Sequence, residues 1–231
     1  MGLLIIGFIV LFAITSLPNL WTRHILNKYR QPHPDIPGTG AQFAEHLIQK
    51  YQLPVTLEET AKSDQGDHYD PIDKVVRISS ENYHSNSLTA ITTVAHEIGH
   101  ALQDQSGYEP LVQRTVLIER SQWMHKFSGI ALMVTPVLIP LLHTPLIALV
   151  TFAAGFIAMG VPLMIHLSTL PVEFDASYKR ALPLLKEGQY LNDSDLKKAR
   201  KILQACALTY VAASLSSLFN LWKWLRTLKG R

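Results

Sequence analysis

Charge is distributed along this chain in blocks. Gly2 to Trp21 contains no charged residue, and Arg23 follows soon after. Residues 22–124 are mixed and polar. Phe127 to Leu167 is again free of charge, with His143 and His166 as its titratable groups. Residues 168–201 are charged, and Ile202 to Leu221 is apolar apart from scattered Ser, Thr, Gln and Asn. A helix needs about 20 apolar residues to cross a bilayer. The first block therefore predicts an uncleaved transmembrane helix over 2–21. No lysine or arginine precedes its apolar run, and the bulky Leu20-Trp21 end suits an interface anchor better than a cleavage site. The second uncharged block is long enough for two helices and is broken at Leu142-His-Thr-Pro145, which predicts a hairpin over 127–142 and 145–167. The last block, 202–222, predicts a fourth helix, spanning or membrane-associated.

The polar stretches read as a small α+β domain in two pieces, 22–124 and 168–201. Thr39 is placed to cap an amphipathic helix with Phe43, Leu47 and Ile48 on one face. Leu53 to Leu57 and Val75 to Ser79 predict short strands, with turn chemistry over His68 to Lys74, where Asp70 and Asp73 are the turn formers. The second strand is a candidate edge for pairing with an extended peptide. Ser87 is placed to cap a helix from Leu88 to Gln105. The expected fold is thus a mostly α membrane protein, with a small α+β zincin-like catalytic domain and three or four transmembrane helices.

Composition narrows the function classes. The net charge is +3 and no dense basic block occurs, so no nucleic-acid partner is expected. The single cysteine, Cys206, rules out an intrachain disulfide and a cysteine-built metal site. Lysine and arginine crowd residues 22–126 and 168–201 and are missing from the hairpin turn, which predicts that both pieces face the cytoplasm. A spanning fourth helix would leave Lys223, Arg226, Lys229 and Arg231 outside, against that rule.

The chemistry is concentrated in Val94-Ala-His-Glu-Ile-Gly-His-Ala-Leu-Gln103. His96 and His100, four apart on a helix, share a face and can bite one metal ion; Glu97 beside them can act as general base toward a water in the open position. Gly99 would allow close approach of another backbone or a substrate. Gln103 and Ser106 stand where a downstream glycine and histidine would extend the motif, so the third ligand must come from elsewhere. Glu173, just after Pro171 in the first turn of a later helix, is the candidate, with Asp175 as fallback or as support for a histidine. The expected cofactor is one Zn2+. His68 can line the cleft or cap a turn. Tyr83, His84 and Tyr178 are candidate donors to a tetrahedral intermediate. His125, His143 and His166 lie in or beside apolar segments without ligand-like neighbours.

His96 to Gln103 (HEIGHALQ), Asp67 to Pro71 (DHYDP), Leu170 to Ser177 (LPVEFDAS) and Ala207 to Leu215 (ALTYVAASL) together resemble the YugP-like family of bacterial membrane proteins, the neutral zinc metallopeptidases. More distantly, a glutamate-ligand site split by a membrane hairpin is similar to the heat-shock membrane peptidases and the prenyl-protein endopeptidases. Those relatives carry an acid four residues after the glutamate ligand; Ser177 stands there in this chain, which makes it a candidate supporting residue of a different kind. The resemblance implies proteolysis at a bacterial plasma membrane. The expected partners are the bilayer and a protein or peptide substrate, with oligomeric state left open. The alternative is a membrane scaffold with structural zinc and vestigial catalysis, although the base Glu97 is retained.

Overall fold

The computed structural model describes residues 2–60, 66–142 and 144–229; His143, in the hairpin turn, lies outside them. The chain begins with a long helix α1 (Gly2–Lys28), followed by α2 (Gly40–Lys50) and strands β1 (Thr56–Thr60), β2 (His68–Asp70) and β3 (Val75–Ser79). Then come α3 (Ser80–Tyr83), α4 (Leu88–Gln105), α5 (Glu109–Leu142) and α6 (Pro145–Phe174). A π-helical stretch (Asp175–Ala181) leads into α7 (Leu182–Glu187), and α8 (Asp193–Lys229) closes the chain.

Local chemistry sets these boundaries. Thr39 and Gln42 form a reciprocal capping box at the start of α2. At its end Gln52 takes a left-handed φ of 49°, Gln52 N–H reaches Gln49 O at 3.2 Å and Leu53 N–H reaches Ile48 O at 3.0 Å. That is a Schellman stop with glutamine in the usual glycine place. It anchors Leu53 in the core, and Pro54 has no N–H to give. Strand pairing therefore begins only at Thr56, opposite Val75, three residues later than the apolar pattern predicts. Asp70 Oδ1 accepts from the N–H groups of Ile72 and Asp73, which confines the turn and leaves His68–Asp70 as a strand. Ser87 caps α4 through the Ala90 N–H, a contact worth about 1 kcal/mol.

The sheet order is β1-β3-β2, with β1 parallel and β2 antiparallel to β3. Val75–Ser79 is thus the central strand. Both its edges are occupied and it cannot accept a peptide, which corrects the edge assignment drawn from the sequence; β2 is the edge strand that contacts α4. Arg77 on β3 donates to Glu58, Asp70 and Asp73, tying β1 and the hairpin turn to the centre. The core beneath joins Leu47, Val76, Ile78, Val94, Ile98 and Leu185 to Ile202 and Leu203 of α8.

The apolar blocks do not end where their composition changes. Each continues as the same helix into the polar domain: α5 starts at Glu109, α6 runs on through Glu173, and α8 carries domain core and apolar run on one axis. Nothing in 168–170 or around 201–202 breaks a helix, so the boundaries expected there are absent. Among the described residues two helices, Pro145–Glu187 and Asp193–Arg226, are long and apolar enough to cross a membrane. Ile130, Met133 and Val137 on α5 and Leu146, Leu149 and Phe156 on α6 are exposed, as lipid-facing residues would be.

Candidate metal centre

His96 and His100 project from one face of α4, and Glu173 arrives from the end of α6. His96 Nε2 lies 3.1 Å from Glu173 Oε2 and 3.2 Å from His100 Nε2, and His100 Nε2 is 3.6 Å from the same carboxylate oxygen. Ligands held about 2.0–2.1 Å from a tetrahedral zinc sit about 3.3 Å from one another. The three donor atoms therefore stand at the corners of a face that such an ion would fit. His100 and Glu173 are buried.

The donor atoms are aimed by a second ring of contacts. Gln103 Nε2 donates to Val172 O at 2.8 Å and to Asp175 Oδ2 at 2.9 Å. Both partners only accept, so the amide nitrogen must face them and Gln103 Oε1 must face His100 Nδ1, 2.9 Å away. His100 then carries its proton on Nδ1 and presents the Nε2 lone pair to the other donors. Ser177 Oγ lies 3.2 Å from His96 Nδ1 and can accept a hydrogen bond from an Nδ1–H, leaving His96 Nε2 unprotonated as well. Asp175 is held in turn by Arg180 Nε at 2.9 Å and touches neither histidine. It supports the site through Gln103 rather than by the direct contact expected for it. Gln103 is the residue that sequence reasoning passed over as a mere non-ligand. The available signal was an amide at i+7 from His96 and i+3 from His100, on the same face of an apolar helix. Gln103→Ala is expected to weaken zinc binding about 10- to 100-fold, as losses of such supporting groups do. Competition against a chelator of known affinity measures this, and wild-type affinity in the variant would rule the aiming role out.

Gly99 makes the approach of the two helices possible. A Cβ there would lie 2.9 Å from Ala176 O in the π-helical stretch, closer than side chains come to backbone. Such wide turns are frequent at functional sites.

Glu97 is buried beside the ligands and accepts a hydrogen bond from the Tyr69 backbone N–H. Burial pushes its carboxyl up to about 7; the negative charges of Glu173 and Asp67 add to this, while His96 opposes it. Glu97 and His96 open onto a cavity of about 370 Å3 that also takes in Arg30 just after α1, Asp67, and Cys206 and Tyr210 of α8. Asp67 fixes the rim, accepting from Ser79 N–H at 2.7 Å and Asn82 Nδ2 at 2.6 Å.

Other candidates are placed elsewhere. His68 bonds back to Gly66 O at 3.1 Å and is not on the cavity wall. Tyr178 stacks on Phe174 and lines clefts on the outer side of the π-helical stretch. Tyr83 packs against the core and His84 pairs with Glu59 at the surface. The tyrosine that does reach the cavity is Tyr210, from within the apolar block.

Comparison with known proteins gives the family of the chain. The model of a family described as "Putative neutral zinc metallopeptidase" matches residues 4–229. The chain belongs to that family. A relative, "Putative membrane protease YugP" of Bacillus subtilis (strain 168), is 35% identical over 211 residues, covering 88% of this chain and 87% of the relative. No solved structure matches. In this zinc metallopeptidase family member, the matched region takes in both the α4 and α6 halves of the donor cluster as well as α8.

Proposed function

We propose that this protein is a membrane-bound zinc endopeptidase that cuts membrane or membrane-proximal proteins. The observation that carries the reading is the convergence of His96, His100 and Glu173 beside Glu97 at the wall of one cavity. A zinc ion held by those three residues would act as a Lewis acid, acidifying water and polarising a peptide carbonyl. Glu97 takes the proton from the attacking water and hands it to the departing amine, and its burial suits a group that must both accept and release a proton near neutrality. Gln103 and Ser177 keep the imidazole protons on Nδ1, away from the reacting centre. Tyr210 places a hydroxyl donor in the same cavity.

Structural zinc sites are closed by four protein ligands. Among the described residues this cluster brings three, with the cavity on the remaining side, which favours catalysis over a scaffold. Membrane attachment is supported by α6 and α8 and by the relative's name as a membrane protease. The lysine and arginine distribution supports a multi-pass protein of the bacterial plasma membrane with its site toward the cytoplasm, and the exposed apolar rows on α5 support a third span. Purified protein in detergent is expected to cleave casein, to stop after EDTA treatment, and to recover with equimolar zinc. Cleavage that persists without metal would refute the reading.

A further inference from the structure

Another cavity, about 580 Å3 and partly open, lies among the long helices. It is lined by Asn19 of α1, Arg114 of α5, His166 and Thr169 of α6, and Tyr210 and Ser216 of α8, among others. Tyr210 also lines the cavity of the metal centre, so the two spaces meet at that side chain. α5 packs along α6, α6 along α8 and α8 along α1, while α1 and α5 share no comparable contact. The four helices thus form a row curved around the cavity.

The charge of this cavity is one-sided. Arg114 is its fixed cation, and among the described residues no aspartate or glutamate lines it. Arg114 Nε is buried without a hydrogen-bond partner, and among the described residues no carboxylate pairs with its guanidinium. Its helical neighbours three and four residues away are Pro110, Leu111, Leu117 and Ile118, so its own helix offers no anion. Arg30, at the metal-centre cavity, is different, since Glu81 neutralises it at 2.7 Å. A guanidinium left partly desolvated and unpaired is costly unless an anion joins it.

Resting on the peptidase reading, we infer that this cavity receives a carboxylate of the peptide substrate, with Arg114 as the residue that selects it. The spacing fits. Thr169 is one helical turn before Glu173 and Ile165 two turns, which at 1.5 Å per residue is about 6 and 12 Å. An extended peptide advances about 3.3 Å per residue. A carboxylate two or three residues from the scissile bond therefore reaches the cavity. Its source is an acidic side chain or a free C-terminus.

The test reads binding, not cleavage. Zinc-loaded Glu97→Gln protein, full length and in phosphatidylcholine nanodiscs, is titrated with labelled alanine-rich octapeptides. These differ in Glu or Gln at each position in turn and in a free or amidated C-terminus. At least one acidic form is expected to bind about tenfold tighter than its neutral twin. Adding Arg114→Gln removes the difference and Arg114→Lys keeps part of it. The free and amidated pair tells a terminal carboxylate from a side chain. Equal affinity within every pair, with Arg114 intact, overturns the inference whether or not the variants fold; so does a preference that survives Arg114→Gln. Equal affinity together with phosphatidylglycerol retained by Arg114 but not by Arg114→Gln would give the cavity to a lipid phosphate instead. Acid-selective binding by a protein whose wild type cuts nothing would sink the peptidase reading alone.

Discussion

Glu97→Gln is expected to retain a full complement of zinc and to lose casein cleavage by roughly a thousandfold, within the range general bases contribute. The substitution keeps the size of the side chain and its ability to accept from the Tyr69 N–H, so the wall of the cavity should hold its shape. What it removes is the capacity to take a proton. The amide also carries no charge, so a buried group that is costly to ionise is replaced by one with nothing to ionise, and the variant should fold at least as well as wild type. Metal content by elemental analysis and cleavage rate are read on the same sample. Cleavage at the wild-type rate would end the base assignment, and loss of zinc would show that Glu97 belongs to the coordination instead.

The second large effect is expected at Glu173. Glu173→Ala leaves two imidazoles on α4 and removes the only donor of the cluster that comes from another helix. Zinc stoichiometry after dialysis is expected to fall from about one per chain to near zero, and cleavage with it. Asp175 is not positioned to substitute, because Arg180 and Gln103 already hold its carboxylate away from the histidines. A full metal complement in Glu173→Ala would remove this residue from the site and leave its contact with His96 as an ordinary buried hydrogen bond. Reading both variants together separates the two carboxylates, since one is expected to lose chemistry with metal kept and the other to lose the metal itself.

Much of this molecule is written in local pattern. His96, Glu97 and His100 are set by helical spacing alone, and Glu173 stands out as a carboxylate just past the charge-free block, although the new helix expected to begin at Pro171 is absent: Pro171 lies inside α6 and Glu173 in its last turn. Capping at Thr39 and Ser87 and the hairpin turn at Asp70 follow from side chains that reach backbone groups two or three residues away. The apolar blocks announce themselves by the absence of charge over a helix-long window. What each of these has in common is a range of a few residues, over which chain geometry is nearly independent of the rest of the protein.

Tertiary structure decided the remainder. That β3 is central and β2 the edge depends on which strands meet, not on the strands' own residues. The role of Gln103 appears only when Val172 and Asp175 are brought to it from about seventy residues away, and the need for Gly99 only when Ala176 O lies against it. Tyr210 and Arg114 look like minor interruptions of helices until α1, α5, α6 and α8 close around them. The donors can be named from the chain because metal chemistry restricts the residue types. What aims them, and the space in front of them, arises from packing between distant segments, which no local spacing encodes.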